Sequence, residues 1–179
     1  YALLAGRVIS AWRREFLRDG ELTVPTQANH VRALAFGLIA GSLATGCDFH
    51  VNAENLAALK QDAARFTLHQ KNYLLVEFDE FAIPPSMDQT LHELRLAGLQ
   101  PVITHPERNP LLRQRLEKIE AWVAEGARVQ VTGQSLWGRF GKRAEAFSKT
   151  LLDANLVHVI ASDGHDVTHR PPVMDQCHG

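Results

Sequence analysis

Acidic residues and histidines stand at the ends of several short apolar runs in this sequence. They are Asp48 and His50 in SLATGCDFH, Glu77 in YLLVEF, His105 in PVITHPER, and Asp163 and His165 in HVIASDGH. Carboxylate oxygens and imidazole nitrogens bind divalent ions such as Mn²⁺, Zn²⁺ and Fe²⁺. If the apolar runs are parallel strands, their carboxyl ends meet at one edge of the sheet and bring these side chains together. The sequence therefore predicts a divalent metal site.

The spacing of Asp163 and His165 supports this prediction. In an extended backbone, residues two apart point to the same side, so both side chains could reach one ion. In an alternative interpretation, Asp163 caps a following helix and Gly164 simply turns the chain. We favour metal binding because residues 157–161 are apolar enough to be a buried strand that ends at the sheet edge. Glu77 also follows an apolar run, where an ionised carboxylate is costly unless it is paired or coordinating.

Two arginines stand near these groups in the sequence. Arg108 follows His105 in the segment HPER, and Arg170 precedes a Pro-Pro pair shortly after His165. A guanidinium binds phosphate through two parallel hydrogen bonds, so both arginines are candidate catalytic and substrate-binding groups. Alternatives stay open, since Pro106 and Glu107 are typical of the first turn of a helix and Arg170 fits a solvated loop equally well.

The elements that must position these residues alternate along the second half of the chain. Short apolar runs predict strands at 73–78, 100–104, 128–132 and 156–162, and amphipathic stretches predict helices at 86–97, 111–125 and 142–154. The helices should end at Gly98, Gly126 and Asn155. This order is typical of an α/β fold, either a barrel or a doubly wound sheet. In the first half we expect helices at 2–17 and 29–38, a strand at 42–51 and a loop at Asn52.

Composition and charge exclude several classes of function. The net charge is −1 with both signs interspersed, which argues against nucleic acid or an anionic membrane as a partner. The longest apolar stretch, at 33–44, is too short to cross a bilayer, so we expect no membrane insertion. Two distant cysteines and no secretory leader pattern indicate a cytoplasmic protein.

Cys47 lacks the following arginine of a thiol-dependent phosphatase, and no phosphate-binding glycine loop or serine nucleophile motif is present.

Four segments, taken in order, resemble consecutive motifs of a known family. They are YLLVEF at 73–78, PVITHPERNP at 101–110, VQVTGQSLWGRFGKRA at 129–144 and LVHVIASDGHDVTHRPP at 156–172. The family is the bacterial protein-tyrosine phosphatases of the PHP (polymerase and histidinol phosphatase) superfamily, which act in capsule and exopolysaccharide synthesis. The resemblance covers roughly residues 45–172, and we expect residues 1–179 to form a single domain.

This resemblance implies a fold, a cofactor and a substrate. The fold would be a distorted β/α barrel of about seven strands, with its site at their carboxyl ends as in other β/α barrels. A cluster of two or three divalent ions would lie there, most often Mn²⁺, with Zn²⁺ or Fe²⁺ as alternatives. The substrate would be phosphotyrosine on a bacterial tyrosine autokinase. By position in the motifs, Glu77, His105, Asp163 and His165 would be metal ligands and Arg108 and Arg170 would bind phosphate. Asp48 falls where the family commonly has a longer glutamate ligand.

The sequence also departs from the family pattern. No His-x-His pair or Asp-Asp-Gly turn precedes Asp48, and His30 in VPTQANH is only a faint echo of a second family motif. We therefore expect a barrel that is incomplete at its N-terminus, with an exposed edge that would also allow a homo-oligomer to form. The alternatives are a small-molecule phosphatase of the histidinol-phosphate type and a catalytically inactive remnant.

The resemblance further predicts the mechanism. Water activated by metal would attack phosphorus in line, without a covalent enzyme intermediate, while Arg108 and Arg170 stabilise charge on the phosphoryl oxygens. A phenol has a pKa of about 10, so it leaves with less need of a general acid than an alkyl alcohol does. Aryl phosphates should therefore react faster than alkyl phosphates.

Overall fold

The computed structural model describes residues 46–166, 169–170, 172 and 174. Within these ranges, short strands alternate with helices along the chain. The elements are β1 (Asp48–His50), α1 (Ala53–Gln61), β2 (Tyr73–Glu77), α2 (Met87–Leu96), β3 (Gln100–Thr104), α3 (Leu116–Ala124), β4 (Arg128–Thr132), α4 (Lys142–Asp153) and β5 (Val159–Ala161). Short 3₁₀ turns lie at Ala63–Arg65, Leu68–Gln70, Leu112–Gln114 and Gly133–Ser135. The α/β class predicted from the sequence is confirmed.

The strands form one parallel sheet in the order β1-β2-β3-β4-β5. Each strand pairs with its neighbour in sequence, for example His50 with Glu77 and Thr104 with Gln130. Doubly wound sheets reverse their strand order at a switch point, and the described sheet contains no such reversal. All carboxyl ends therefore lie along one edge, which is where the predicted site residues are.

Helix packing follows the apolar spacing of the sequence. Helix α2 buries Met87, Leu91 and Leu94, which recur at helical spacing on one face. Helices α3 and α4 bury Trp122 and Leu151 in the same way. Burying one such side chain contributes about 1.5–3 kcal/mol, so this shared core fixes the helices against the sheet.

One aromatic contact ties the core to the end of β2. The rings of Phe78 and Trp122 stack with their centroids 5.3 Å apart and an interplanar angle of 4°. The indole Nε1 of Trp122 donates a hydrogen bond to Asp88 Oδ1 at 2.7 Å, and Lys118 Nζ contacts the same carboxylate. These contacts join α3 to α2 and brace the residue that follows Glu77.

Several sequence predictions are confirmed within narrow limits. Strands β3 and β4 have the predicted bounds, and β2 ends one residue earlier than predicted. Gly98, Gly126 and Asn155 follow helix ends with φ of 82°, 107° and 56°, a conformation suited to the end of a helix.

No helix in the described ranges has the length and apolarity needed to span a membrane.

Other predictions were wrong. The helix expected at 111–125 is divided, because Arg115 has non-helical angles (φ −139°, ψ 51°) between a 3₁₀ turn and α3. Helix α1 was not predicted, although Asn52 caps it by accepting a hydrogen bond from Asn55 N at 2.7 Å. Strand β5 is shorter than expected and only partly buried, with Val159 46% exposed.

The helices predicted at 2–17 and 29–38 and the residue His30 lie outside the described residues.

Candidate functional site

Glu77 lies between two histidines at the carboxyl ends of neighbouring strands. Its Oε2 is 3.1 Å from Nε2 of His50, and its Oε1 is 3.4 Å from Nε2 of His105. His50 is paired with Glu77 in the register of β1 and β2, and His105 follows the last residue of β3. Three adjacent strands therefore direct their final polar side chains to one point, as the sequence predicted for Glu77 and His105.

These contacts determine the charge of Glu77. Burial alone would raise the pKa of Glu77, but the hydrogen bonds with His105 and His50 outweigh burial and hold it below its ordinary value. The pKa of His50 is raised, chiefly by its hydrogen bond with Glu77. The carboxylate is therefore ionised at neutral pH and available as an anionic ligand.

Asp48 adds a second carboxylate beside Glu77. Burial, reinforced by the negative charge of Glu77, raises the pKa of Asp48 to about 6. Two carboxylates that share a partly buried site repel each other, and a nearby positive charge relieves that repulsion. Asp48 and Glu77 thus place two carboxyl groups close together on the neighbouring strands β1 and β2.

Asp163 forms a second group with both predicted arginines. Its Oδ2 accepts hydrogen bonds from Arg108 and from Arg170, so a single carboxylate oxygen is shared by two guanidinium groups. His165 belongs to this group, since its Nδ1 lies 3.7 Å from Asp163 Oδ1 and its Nε2 lies 3.0 Å from Arg170 Nη1. The arginine spacing shows that one anionic oxygen can be held from two sides.

Backbone strain coincides with this site. His105 has φ of 34° and Asp163 has φ of 48°, both in the left-handed region that residues other than glycine rarely occupy. Such a conformation costs of order 1–3 kcal/mol and persists only where surrounding contacts fix it. Here the contacts with Glu77 and with the two arginines fix it. For Asp163 the helix-capping alternative was wrong, since residues 164–166 are not helical.

Glu107 is buried inside the protein and does not point into the site. Its side chain is fully buried, and its Oε1 accepts hydrogen bonds from Thr132 N at 3.0 Å and Ser135 Oγ at 2.7 Å. The alternative of a helix beginning at Pro106 was wrong, because residues 106–108 form a turn. Glu107 instead ties the loop that carries His105 and Arg108 to the end of β4.

The predicted ligands contact one another and the arginines. Among the residues that the structure describes, no group of three or more His, Cys, Asp or Glu side chains is arranged so that it could hold a metal ion. The carboxylate of Glu77 is hydrogen-bonded to two imidazoles, and that of Asp163 to two guanidiniums. The types of donor atom, carboxylate oxygens and imidazole nitrogens, are nevertheless those that bind a divalent ion.

Two residues of the candidate site, His50 and Phe140, were given too little weight in the predictions from sequence. His50 was noted at the end of its run but not placed in the ligand set, although its pairing with Glu77 follows from the strand register. Phe140 was not singled out, although its ring lies 4.6 Å from Arg108 Cζ and 5.6 Å from Arg170 Cζ. In the sequence, the only indication of a role for Phe140 was its position within the family-like segment QSLWGRFGKRA. A cavity of about 220 Å³ also opens beside Glu77 and is lined by Phe78, among others.

Comparisons with known proteins agree with the resemblance found in the sequence. The tyrosine-protein phosphatase YwqE of Bacillus subtilis (strain 168) is 41% identical over 115 residues, which are 63% of this chain and 45% of that protein. The tyrosine-protein phosphatase CpsB of Streptococcus pneumoniae is 26% identical over 141 residues, which are 76% of this chain and 58% of that protein. The chain therefore spans about half the length of the curated relatives it matches.

A solved structure has a similar fold. It comes from the crystal structures of YwqE from Bacillus subtilis and CpsB from Streptococcus pneumoniae, described as metal-dependent tyrosine phosphatases. The TM-score is 0.64 with 36% sequence identity, over 73% of this chain and 52% of that chain. A family model described as capsular polysaccharide synthesis, CpsB/CapC, matches residues 26–179. Since that match includes most of the sequence, the chain belongs to the CpsB/CapC family.

Proposed function

We propose that this protein is a metal-dependent phosphatase that hydrolyses phosphotyrosine. The observation that carries the proposal is the meeting of two groups at one sheet edge, Glu77 with its histidines and Asp163 with its arginines. The first group has the chemistry to bind a cation and the second to bind an anion. A phosphatase that uses metal needs both in adjacent positions.

In this proposal the metal ligands are Asp48, Glu77, His105, Asp163 and His165. The charge of Glu77 and the burial of Asp48 support it, because two carboxylates in one partly buried site favour a bound cation. Mn²⁺ is the proposed ion, with Zn²⁺ and Fe²⁺ as alternatives that the same donors accept. A divalent ion bound there would supply Lewis-acid chemistry and lower the pKa of water.

Arg108 and Arg170 would hold the phosphoryl group. Both already reach the same oxygen of Asp163, so their guanidiniums can bracket one anionic group and stabilise charge on its oxygens. A phenolate, whose conjugate acid has a pKa of about 10, leaves without a strong general acid. This arrangement favours aryl over alkyl phosphates and so favours phosphotyrosine over histidinol phosphate.

Further features belong to the same proposal. The sequential order of the parallel strands supports a β/α barrel of the PHP type. A single domain over residues 1–179 remains part of the proposal. The family description supports a role in capsule or exopolysaccharide synthesis. The proposed substrate is a tyrosine-phosphorylated autokinase, and the proposed location is the cytoplasm. A homo-oligomer is proposed only from the short strand β1, which pairs on one side within the described sheet.

Hydrolysis of p-nitrophenyl phosphate tests this function. Purified protein is stripped with a chelator, resupplied with Mn²⁺, Zn²⁺ or Fe²⁺, and compared with His105→Ala. His92→Ala is the matched control, because His92 is exposed on α2 away from the strand ends. We expect metal-dependent turnover that is lost in His105→Ala and kept in His92→Ala. A folded protein without turnover under any metal would instead support the inactive alternative.

A second assay separates the substrate classes. Rates are measured with a phosphotyrosine peptide, with phosphoserine and with histidinol phosphate under the same metal. We expect the phosphotyrosine peptide to react fastest. Equal rates for aryl and alkyl phosphates would contradict the proposal, and a preference for histidinol phosphate would support the small-molecule alternative.

A further inference from the structure

Phe140 occupies a loop whose backbone is closely constrained. It lies between Gly138 and Gly141, which have φ of 82° and 89°, in the segment that joins the turn Gly133–Ser135 to α4. Hydrogen bonds from Gly138 N to Ser135 O (3.1 Å) and from Gly141 N to Gly138 O (2.9 Å) close the loop. At Gly138 a Cβ atom would also come within 2.8 Å of Glu145 Oε2. The loop therefore presents Phe140 in one defined position.

The ring of Phe140 contacts both predicted phosphate-binding arginines. Cζ of Arg108 lies 4.6 Å and Cζ of Arg170 lies 5.6 Å from the ring centroid, within the range of cation–π attraction. The two guanidiniums also meet at Asp163 Oδ2. Each arginine is thus fixed by the carboxylate and by the same aromatic ring.

Phe140 has little role in the hydrophobic core. The buried core cluster within the described ranges does not include it, and its side chain is only partly buried. An aromatic residue that leaves part of its ring exposed beside two cations is placed to contact whatever those cations bind. A phosphate held between Arg108 and Arg170 would carry its ester group within a few ångströms of this ring.

We propose that Phe140 is a specificity-determining residue that positions Arg108 and Arg170 and forms an aromatic wall for the phenyl group of an aryl phosphate. This proposal rests on the proposed function and names the part of the site that recognises its substrate class. An aromatic pair in edge or offset contact adds affinity beyond that of the buried area, by roughly 3- to 10-fold. An alkyl phosphate forms no such pair and gains only from the ordered arginines.

Binding of two phosphonates tests the proposal without requiring turnover. Phenylphosphonate and methylphosphonate are titrated calorimetrically into the full chain with Mn²⁺ present. Phe140→Leu keeps an apolar side chain but removes the ring, whereas Phe140→Tyr keeps an aromatic ring. Tyr73→Leu is the control, since Tyr73 is 45% exposed at the amino end of β2, opposite the site. Circular dichroism verifies the fold of each variant.

We expect the preference for phenylphosphonate over methylphosphonate to fall roughly 3- to 10-fold in Phe140→Leu. Phe140→Tyr should restore the preference and Tyr73→Leu should leave it unchanged. In turnover, Phe140→Leu should raise KM for phosphotyrosine more than KM for phosphoserine. An unchanged preference in Phe140→Leu overturns the proposal, and so does an equal loss in Phe140→Leu and Phe140→Tyr.

The outcomes for Phe140 and for the proposed function are distinguishable. Wild-type turnover with an unchanged preference in Phe140→Leu contradicts only the role of Phe140. A wild-type protein that binds phenylphosphonate selectively through Phe140 but hydrolyses nothing contradicts only the phosphatase. A wild-type protein that binds neither phosphonate and hydrolyses no phosphate ester overturns both.

Discussion

Nε2 of His105 lies 3.4 Å from Oε1 of Glu77, and this contact joins the carboxyl ends of the neighbouring strands β2 and β3. The second oxygen of the same carboxylate contacts His50 at the end of β1. Glu77, at the end of β2, is therefore the shared anionic partner of the ends of the two neighbouring strands.

Replacing Glu77 with glutamine should abolish the cation-binding character of this group. The amide is neutral and has only one acceptor oxygen, so it can no longer serve both histidines. We expect Mn²⁺ affinity and turnover of p-nitrophenyl phosphate to fall at least about 100-fold, beyond the roughly 10–100-fold typical of outer-shell partners. Calorimetry and steady-state kinetics measure the two effects. The control Glu80→Gln removes a carboxylate from the exposed loop nearby and should change neither the Mn²⁺ affinity nor the turnover. Wild-type Mn²⁺ affinity in Glu77→Gln would exclude Glu77 as a ligand.

Asp48 should make the metal-free protein less stable as the pH rises. Its pKa is raised from 3.8 to about 6 by burial and by Glu77, so between these values the folded state binds more protons than the unfolded state. The stabilisation is complete below about pH 4 and is lost as the pH rises through about 6. Urea unfolding between pH 4 and 7 with a chelator present should show this decline.

The matched variant is Asp48→Asn. It should flatten the pH dependence and raise the free energy of unfolding near pH 7, with an upper limit of about 3 kcal/mol from roughly 1.4 kcal/mol per pH unit. Glu120→Gln makes the same charge change on an exposed position of α3 and should keep the wild-type slope. A slope that survives in Asp48→Asn would assign the titration to another group.

Glu107 should be essential for the loop that carries His105 and Arg108. Glu107→Ala leaves Thr132 N and Ser135 Oγ without their buried acceptor, which should cost about 2–6 kcal/mol at roughly 1–3 kcal/mol for each donor. Glu107→Gln keeps one acceptor oxygen and should cost less. Because burial raises the pKa of Glu107, its ionisation destabilises the folded state as the pH rises, so the glutamine variant should gain stability relative to wild type with increasing pH. Equal stability of both variants would contradict this role.

Trp122 should contribute chiefly through its stacking on Phe78. Trp122→Phe keeps an aromatic ring and loses the hydrogen bond to Asp88, so we expect a loss of about 0.5–1.5 kcal/mol. Trp122→Ala also removes the stacked ring and should cost about 3–5 kcal/mol. Thermal or urea unfolding measures both. If the phenylalanine variant were as unstable as the alanine variant, the hydrogen bond rather than the stack would be the dominant contact.

The parts of this fold that depend on local pattern were predictable from sequence. Strands β3 and β4 are buried apolar runs, and Gly98 and Gly126 mark helix ends through their backbone freedom. The length of strand β5 was overestimated, because an apolar run in the sequence does not show what covers it in the fold, and Val159 is nearly half exposed.

The candidate site was predictable in its members but not in its contacts. Parallel strand ends must meet at one edge, so the neighbourhood of Glu77, His105 and Asp163 followed from the predicted sheet. The pairing of Asp163 with Arg108 and Arg170 depends on loops far apart in sequence, and the inward orientation of Glu107 depends on β4. Such tertiary contacts leave no periodicity to read.

The connection between Arg108 and Asp163 spans 55 positions of the chain. During synthesis on a ribosome, β1, β2 and β3 can pair while Asp163 is still unmade, because each parallel strand needs only its own crossover and its predecessor. The cluster of Arg108, Asp163 and Arg170 is then assembled last, after β4 and α4 have been made. A nascent chain that ends before β5 contains strands β1 to β4 but lacks both Asp163 and Arg170, so this cluster can form only when nearly all of the described residues have been made.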